Sequence, residues 1–221
     1  MATGAAFHGR FEWALAMIIA GAVFDFFDGM VARLLNVSSP IGKELDSLAD
    51  IVTFGVAPSA MVFQLFGLVH YPDAIAFLKP YLPYTAFIMA AFSALRLAKF
   101  NLDTRQTTAF IGLPTPANAL FWASLIVSQL AFLVSQRFNA IFLFLFMLMF
   151  AFLLVAEVPL FALKFKDLTW QHNRVKYIFV IGAIPLLYFG VAALPLIILW
   201  YIILSLLCHF TASYSSSQAK A

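Results

Sequence analysis

The sequence is poor in charge and almost without cysteine. Of its 221 residues only 10% are charged, and Cys208 carries the single thiol. Because a soluble domain is about one quarter charged, the polar surface here is too small to cover a water-exposed globule. One cysteine excludes an intramolecular disulfide framework. The hydrophobic share of 64% also excludes intrinsic disorder.

Long apolar runs, rich in the 26 Phe residues, fill most of the chain. Runs of about 20 residues fit helices that cross a membrane. They predict an all-α fold, a polytopic transmembrane helix bundle that forms one domain over 1–221. About seven helices are expected, with six and eight as the alternatives. The predicted helices cover 11–35, 43–68, 81–99, 115–136, 140–163, 174–189 and 192–210, and a polar tail covers 211–221.

Basic residues predict how the bundle is oriented. The net charge is only +3, and the basic residues are scattered between apolar runs. Both observations argue against a nucleic-acid-binding groove. Positive residues favour cytoplasmic loops, so the N-terminus is predicted outside the cytoplasm and the C-terminus inside it. Nine of the 13 basic residues lie in alternate loops: Arg33, Lys43, Arg96, Lys99, Arg105, Lys164, Lys166, Arg174 and Lys176.

Four aspartates lie in the first two predicted helices. Asp25 and Asp28 are three residues apart and Asp46 and Asp50 are four apart, so each pair shares one helix face. The short turn over 36–42 makes the two helices antiparallel neighbours, which brings both pairs to the same end. Since a carboxylate at membrane depth costs about 2.5 kcal/mol or more, four of them require compensation.

Divalent cations would supply that compensation. Oxygen ligands without cysteine or histidine nearby select hard ions, so the pattern predicts Mg²⁺ or Mn²⁺, with two ions as the expected number. Such ions commonly bind phosphate, and Arg33 is a fork-shaped donor suited to a phosphate oxygen. Gly29 and Gly42 would let a ligand or the neighbouring helix approach the backbone closely.

Other interpretations of the same residues stay open at this point. Acids inside a membrane also serve as ion or proton relays in transporters, although these spread over several helices. Taken singly, Gly29 and Gly42 are more often packing glycines, and Arg33 is more often a positive-inside anchor. A membrane scaffold without catalysis gives no reason for four aligned acids, so the joint spacing favours a metal-dependent phosphate site.

Residues 25–50 read D-F-F-D-G-M-V-A-R-L-L-N-V-S-S-P-I-G-K-E-L-D-S-L-A-D. This stretch resembles the signature of the CDP-alcohol phosphotransferases, D-x2-D-G-x2-A-R-x8-G-x3-D-x3-D, at all its fixed positions. The segments Asp46–Ser59, Leu95–Asn101 and Gly112–Ala117 resemble the bacterial phosphatidylserine synthase branch of that family.

The resemblance implies a reaction, its partners and an assembly. A member of this branch would form phosphatidylserine and CMP from CDP-diacylglycerol and L-serine at a membrane, using divalent metal ions. A relative with another alcohol acceptor, such as glycerol 3-phosphate, is the alternative within the family, and an ion transporter is the less favoured alternative outside it. Family members resemble dimers, so a homodimer is also expected.

The resemblance also implies roles for single residues. Asp50 would be the catalytic base that deprotonates the acceptor. The metal ligands would be Asp25, Asp28, Asp46 and Asp50. The CDP-diacylglycerol site would be lined by Gly29, Ala32, Arg33 and Gly42. The acceptor site would draw on Arg96, Lys99, Asn101 and Arg105.

Two further expectations concern helix geometry. Pro58, with Gly55 before it, predicts an irregularity in the second helix, and Thr115 is predicted to cap the fourth helix. Members of the branch also begin with an additional basic segment and membrane helix. Here Met1 lies about one helix length before Asp25, and with that helix the count would be eight.

Overall fold

The computed structural model describes residues 1–37, 39–102, 109–161 and 169–218. In this part of the chain a short helix, α1, precedes a bundle of apolar helices. The α-helices are α1 (Ala2–Phe7), α2 (Phe11–Leu34), α3 (Pro40–Asp50), α4 (Ala57–Leu68), α5 (Phe87–Leu102), α6 (Thr115–Leu133), α7 (Ala140–Val155), α8 (Trp170–Leu186) and α9 (Ala193–Gln218). A π-helical turn, Ile51–Val56, joins α3 to α4, and 3₁₀ turns cover Asp73–Leu78, Leu82–Ala86 and Leu187–Ala192.

The bundle has the length and composition of a multi-pass membrane protein. Five helical stretches of the described chain are long and apolar enough to cross a bilayer: Phe11–Leu34, Pro40–Leu68, Leu82–Leu102, Thr115–Leu133 and Asn173–Cys208. Helix α7, Ala140–Val155, is shorter but equally apolar.

The last of these stretches is a helical hairpin. Gly190 adopts a φ of +59°, which interrupts the helix, and α8 and α9 then pack together. Trp200 Nε1 donates to the carbonyl of Phe179 at 3.3 Å, and a Cβ on Gly182 would lie 2.6 Å from that same indole nitrogen. With α7 included and α8 and α9 counted separately, the described chain has seven apolar helical segments, which lies within the predicted range of six to eight.

The acid-bearing second span is continuous but irregular. The N–H of Ala57 donates to the carbonyl of Val52, five residues back, as a π-helix requires. Pro58 has no N–H to donate to Phe54, which favours such a widened turn at this place. The irregularity predicted near Pro58 is therefore a π-helical turn, and it begins directly after Asp50.

Several predicted boundaries were wrong. The fifth helix ends at Val155 rather than 163, because the chain then forms β2 (Pro159–Phe161), which pairs antiparallel with β1 (Ala109–Ile111). Thr115 does not cap α6; the N-cap is Pro114, and the Thr115 hydroxyl is buried inside the bundle. Helix α9 continues to Gln218, so most of the predicted polar tail over 211–221 is helical.

The core lies between α2, α4, α6 and α7. It includes an aromatic group, in which the ring centres of Phe121 and Phe150 stack at 4.1 Å and those of Trp122 and Phe146 pack edge-on at 5.3 Å. Helix α2 approaches the π-helical turn closely, since a Cβ on Gly21 would lie 2.6 Å from Cγ2 of Thr53. This packing fixes α2 beside the span that carries the second pair of acids.

Candidate active site

Three of the four predicted metal ligands come together in the structure. Carboxylate oxygens of Asp25, Asp28 and Asp46 all lie within 4.8 Å of one another. Asp25 is half-buried, and the other two are exposed. The turn between α2 and α3 makes this possible, because it brings the end of α2 back against the start of the second span. We call these three residues the carboxylate cluster.

The donor set of the carboxylate cluster suits a hard divalent cation. Three carboxylates this close repel one another unless positive charge lies among them. Among the described residues, none of the three accepts a hydrogen bond or forms an ion pair with a lysine or arginine. Oxygen-only donors without cysteine or histidine match the preferences of Mg²⁺ and Mn²⁺. The residues present therefore fit a metal ion of this class.

Small residues flank the cluster on α2. Gly29 and Ala32 follow Asp25 by four and seven residues, so they lie on the same helix face. Arg33 Nε donates to the carbonyl of Gly29 at 2.8 Å, which lays the exposed guanidinium along the end of α2. The face beside the carboxylates is thus open to a ligand, with a cation at its rim.

Gly42 has a local role at the start of α3. Its N–H donates to Ser39 Oγ at 3.0 Å, which caps the helix, and a Cβ on Gly42 would lie 2.8 Å from that oxygen. A side chain here would disturb the cap, and the cap begins the helix that carries Asp46.

Asp50 lies outside the 4.8 Å set but close to it. The charge of Asp50 interacts with those of Asp25 and Asp46, and also with the guanidinium of Arg96 on α5. Arg96 is only 7% exposed, and its Nε has no hydrogen-bond partner in the described chain. Its guanidinium carbon also lies 5.1 Å from the ring centre of Phe100. A half-buried acid, Asp50, and a buried cation, Arg96, therefore adjoin the carboxylate cluster.

The remaining acceptor candidates differ in their surroundings. Lys99 is exposed at the end of α5. Asn101 contacts α3: its Nδ2 donates to Ser47 Oγ at 2.9 Å, and its carbonyl accepts from Lys43 Nζ at 3.4 Å. Arg105 lies outside the described residues.

Sequence reasoning missed the polar contacts that surround these residues. Ser47 carried no signal of its own, although it stands inside the signature next to Asp46. Helix α6 carries three fully buried polar side chains, Thr115, Asn118 and Trp122, whose polar atoms have no protein partner in the described chain. Their spacing of three and four residues places them on one helix face, a pattern that could have been noted.

The comparison with known proteins agrees with the signature. The family model described as CDP-alcohol phosphatidyltransferase matches residues 1–211. The chain belongs to the CDP-alcohol phosphatidyltransferase family. The three clustered aspartates lie within the matched residues, in the stretch that resembles the family's signature.

Three relatives that match the chain carry the same name, CDP-diacylglycerol–serine O-phosphatidyltransferase. The protein from Bacillus subtilis (strain 168) is 40% identical over 104 residues, covering 47% of this chain and 54% of the relative. The protein from Mycobacterium leprae (strain TN) is 30% identical over 203 residues, covering 89% and 63%. The protein from Methanocaldococcus jannaschii is 31% identical over 183 residues, covering 75% and 84%. The chain thus spans less than two thirds of the first two relatives.

Proposed function

We propose that this protein transfers the phosphatidyl group of CDP-diacylglycerol to L-serine, forming phosphatidylserine and CMP. The observation that carries the proposal is the carboxylate cluster beside Asp50 and Arg96, in a family whose compared relatives bear the name of this activity. One end of the bundle holds three kinds of group. These are acidic ligands for a metal ion, a base, and a cation that can bind the acceptor.

Asp25, Asp28, Asp46 and Asp50 would hold Mg²⁺ or Mn²⁺, two ions by the family resemblance. Bound metal of this kind neutralises charge on the phosphate oxygens during transfer. Gly29, Ala32 and Gly42 leave room for the cytidine nucleotide close to the backbone, and Arg33 reaches a phosphate oxygen from the rim of the site.

The chemistry needs a base at the serine hydroxyl. Asp50 takes the hydroxyl proton, and the serine oxygen bonds to the phosphorus that carries diacylglycerol. The bond between that phosphorus and the CMP oxygen breaks, and CMP leaves. Arg96 binds the serine carboxylate, since a buried guanidinium with an unpaired Nε is a strong donor to a carboxylate. Its position next to Asp50 brings the acceptor to the base.

The proposal includes a location and an assembly. We place the protein in a bacterial cytoplasmic membrane with the carboxylate cluster on the cytoplasmic side, because basic residues concentrate at that end of the helices. Serine and the CDP headgroup would bind on that side. The family resemblance extends the proposal to a homodimer, which chemical cross-linking of the purified protein would test.

An acceptor screen tests the proposed reaction. Purified protein in lipid nanodiscs with CDP-diacylglycerol and Mn²⁺ is expected to release CMP when L-serine is supplied, with the lipid product identified by mass spectrometry. Asp50→Asn serves as the inactive control, because it removes the base. CMP release with glycerol 3-phosphate and not with serine would contradict the choice of acceptor. Metal flux into liposomes without consumption of CDP-diacylglycerol would contradict the enzyme assignment altogether.

A further inference from the structure

Helix α3 carries Asp46 and Asp50 but is not held by a hydrophobic core. None of its residues is buried. Apart from the π-helical turn that continues it, no described element packs extensively against it. Its apolar side chains, Ile41, Leu45 and Leu48, are each more than half exposed. The placement of Asp46 beside Asp25 and Asp28 must therefore depend on contacts other than apolar packing.

A small set of polar contacts supplies such a constraint. Asn101 Nδ2 donates to Ser47 Oγ at 2.9 Å, Ser47 Oγ donates to the carbonyl of Lys43 at 3.1 Å, and Lys43 Nζ donates to the carbonyl of Asn101 at 3.4 Å. The three bonds form a closed set that connects α3 to the end of α5 across more than 50 residues of sequence. We call these residues the Asn101 bridge.

The Asn101 bridge acts on the part of α3 that carries the acids. Ser47 directly follows Asp46, and neighbouring residues of an α-helix are separated by about 100° around its axis. Fixing Ser47 against α5 therefore fixes the direction in which Asp46 leaves the helix. Asn101 also lies five residues after Arg96 on the same helix, so the bridge sets α3 relative to the helix that carries the buried cation.

We propose that Asn101 is a positioning residue for the metal site and does not bind the acceptor. Through Ser47 it holds the Asp46 carboxylate close enough to Asp25 and Asp28 for one cation to contact all three. This inference rests on the metal-binding part of the proposed function. It replaces the expectation, drawn from the sequence, that Asn101 belongs to the acceptor site.

The test measures metal binding directly, without substrates. Full-length wild type, Asn101→Ala, Ser47→Ala and the double variant are purified in nanodiscs, and Mn²⁺ binding is followed by the electron paramagnetic resonance signal of the free ion. Each single variant is expected to weaken Mn²⁺ binding about 10-fold, the lower end of the range for outer-shell partners, because Asn101 and Ser47 act on Asp46 through the backbone of α3. The double variant is expected to bind Mn²⁺ as tightly as the single variant with the lower affinity, because both changes break the same contact.

Two matched variants and one kinetic measurement complete the design. Ser47→Thr keeps the hydroxyl and should retain wild-type Mn²⁺ binding. Leu102→Ala alters the apolar side chain next to Asn101, which is 85% exposed. This variant should bind Mn²⁺ as tightly as wild type. At saturating Mn²⁺ the KM for serine of Asn101→Ala should equal that of wild type.

The opposite results are equally clear. A raised KM for serine with unchanged Mn²⁺ binding in Asn101→Ala would make Asn101 an acceptor ligand and overturn the proposal. Lower thermal stability with unchanged Mn²⁺ binding in both single variants would reduce the bridge to a structural contact. Additive losses in the double variant would show that Ser47 and Asn101 act separately. If the variants bind Mn²⁺ more weakly but the wild-type protein does not use serine, the proposed acceptor is contradicted and the role of Asn101 in positioning Asp46 is supported.

Discussion

Arg96 is the residue whose surroundings differ most from what a membrane-anchor interpretation expects. An anchor at the end of a helix reaches out to the headgroups, whereas Arg96 is buried in α5, where its charge interacts with that of Asp50 and its Nε is unpaired in the described chain. Burying an arginine is costly unless the charge is compensated. Asp50 compensates part of it, and the remaining donors are available to an anionic ligand.

Replacing Arg96 should therefore affect the acceptor most. Arg96→Met is expected to raise the KM for serine about 10-fold to 100-fold, since a hydrogen bond to a charged group contributes about 1.5–3 kcal/mol. Arg96→Lys keeps the charge without the planar fork and should give an intermediate KM. Initial rates of CMP release against serine concentration measure both. A KM that stays at the wild-type value in Arg96→Met would remove Arg96 from the acceptor site.

Residues of the carboxylate cluster could be predicted from the sequence, but their supports could not. Asp25, Asp28 and Asp46 follow helical spacing on two neighbouring helices, so periodicity and a short turn sufficed to bring them together. The bond between Asn101 and Ser47 joins residues 54 positions apart, and no local periodicity reports a contact of that range. The sequence accordingly predicts Asn101 in the acceptor site, from its position near Arg96 and from the family resemblance.

At the scale of elements, the segment before α6 is shaped by the β1–β2 pair. The N–H of Gly112 donates to the carbonyl of Val158 at 3.0 Å, and the N–H of Leu113 donates to the carbonyl of Leu153 at 2.9 Å. Gly112 has a φ of +76°, and a Cβ there would collide with the carbonyl oxygen of Leu154. Three-residue strands next to apolar helices give almost no sequence signal, which explains why the fifth helix was predicted too long.

Gly112→Ala should destabilise the protein, whereas Gly67→Ala should not. An L-residue at a positive φ costs about 1–3 kcal/mol, and the collision with Leu154 adds to that cost. Gly67 lies in α4 with open space around its Cα position, so alanine there should be neutral or stabilising by about 0.5–1 kcal/mol. Thermal unfolding of the two variants in the same detergent provides the measurement. Equal melting temperatures would contradict the role assigned to the β1–β2 pair.

At the scale of the whole molecule, the ends of α5 and α6 define two faces of the bundle. Leu102 ends α5 on the face that carries the Asn101 bridge, and α6 then runs 19 residues, about 28 Å, to the turn before α7. That length matches the apolar thickness of a bilayer. The apolar helices could be predicted from hydropathy because each run was long, but the reversal at Gly190 left the sixth and seventh hard to separate.

Cysteine labelling should place those faces on opposite sides of the membrane. In a Cys208→Ser background, Leu102→Cys should react with a membrane-impermeant maleimide in inside-out vesicles. Gln136→Cys, exposed in the turn between α6 and α7, should react in right-side-out vesicles. Reaction of both cysteines from the same side would contradict the helix topology, and reaction with the sides exchanged would contradict the proposed orientation.

The π-helical turn at Ile51–Val56 gives the acid-bearing span a place where its length can change. Deleting one residue from a regular α-helix turns everything beyond it by about 100° and moves it to another face. A π-helical turn encloses one residue more than an α-helical turn, so a single deletion there would restore a regular helix. Asp50 before the turn and Ser59 after it would keep their present directions. The second acid-bearing helix thus has a built-in tolerance for the deletion of one residue, located directly beside its acids.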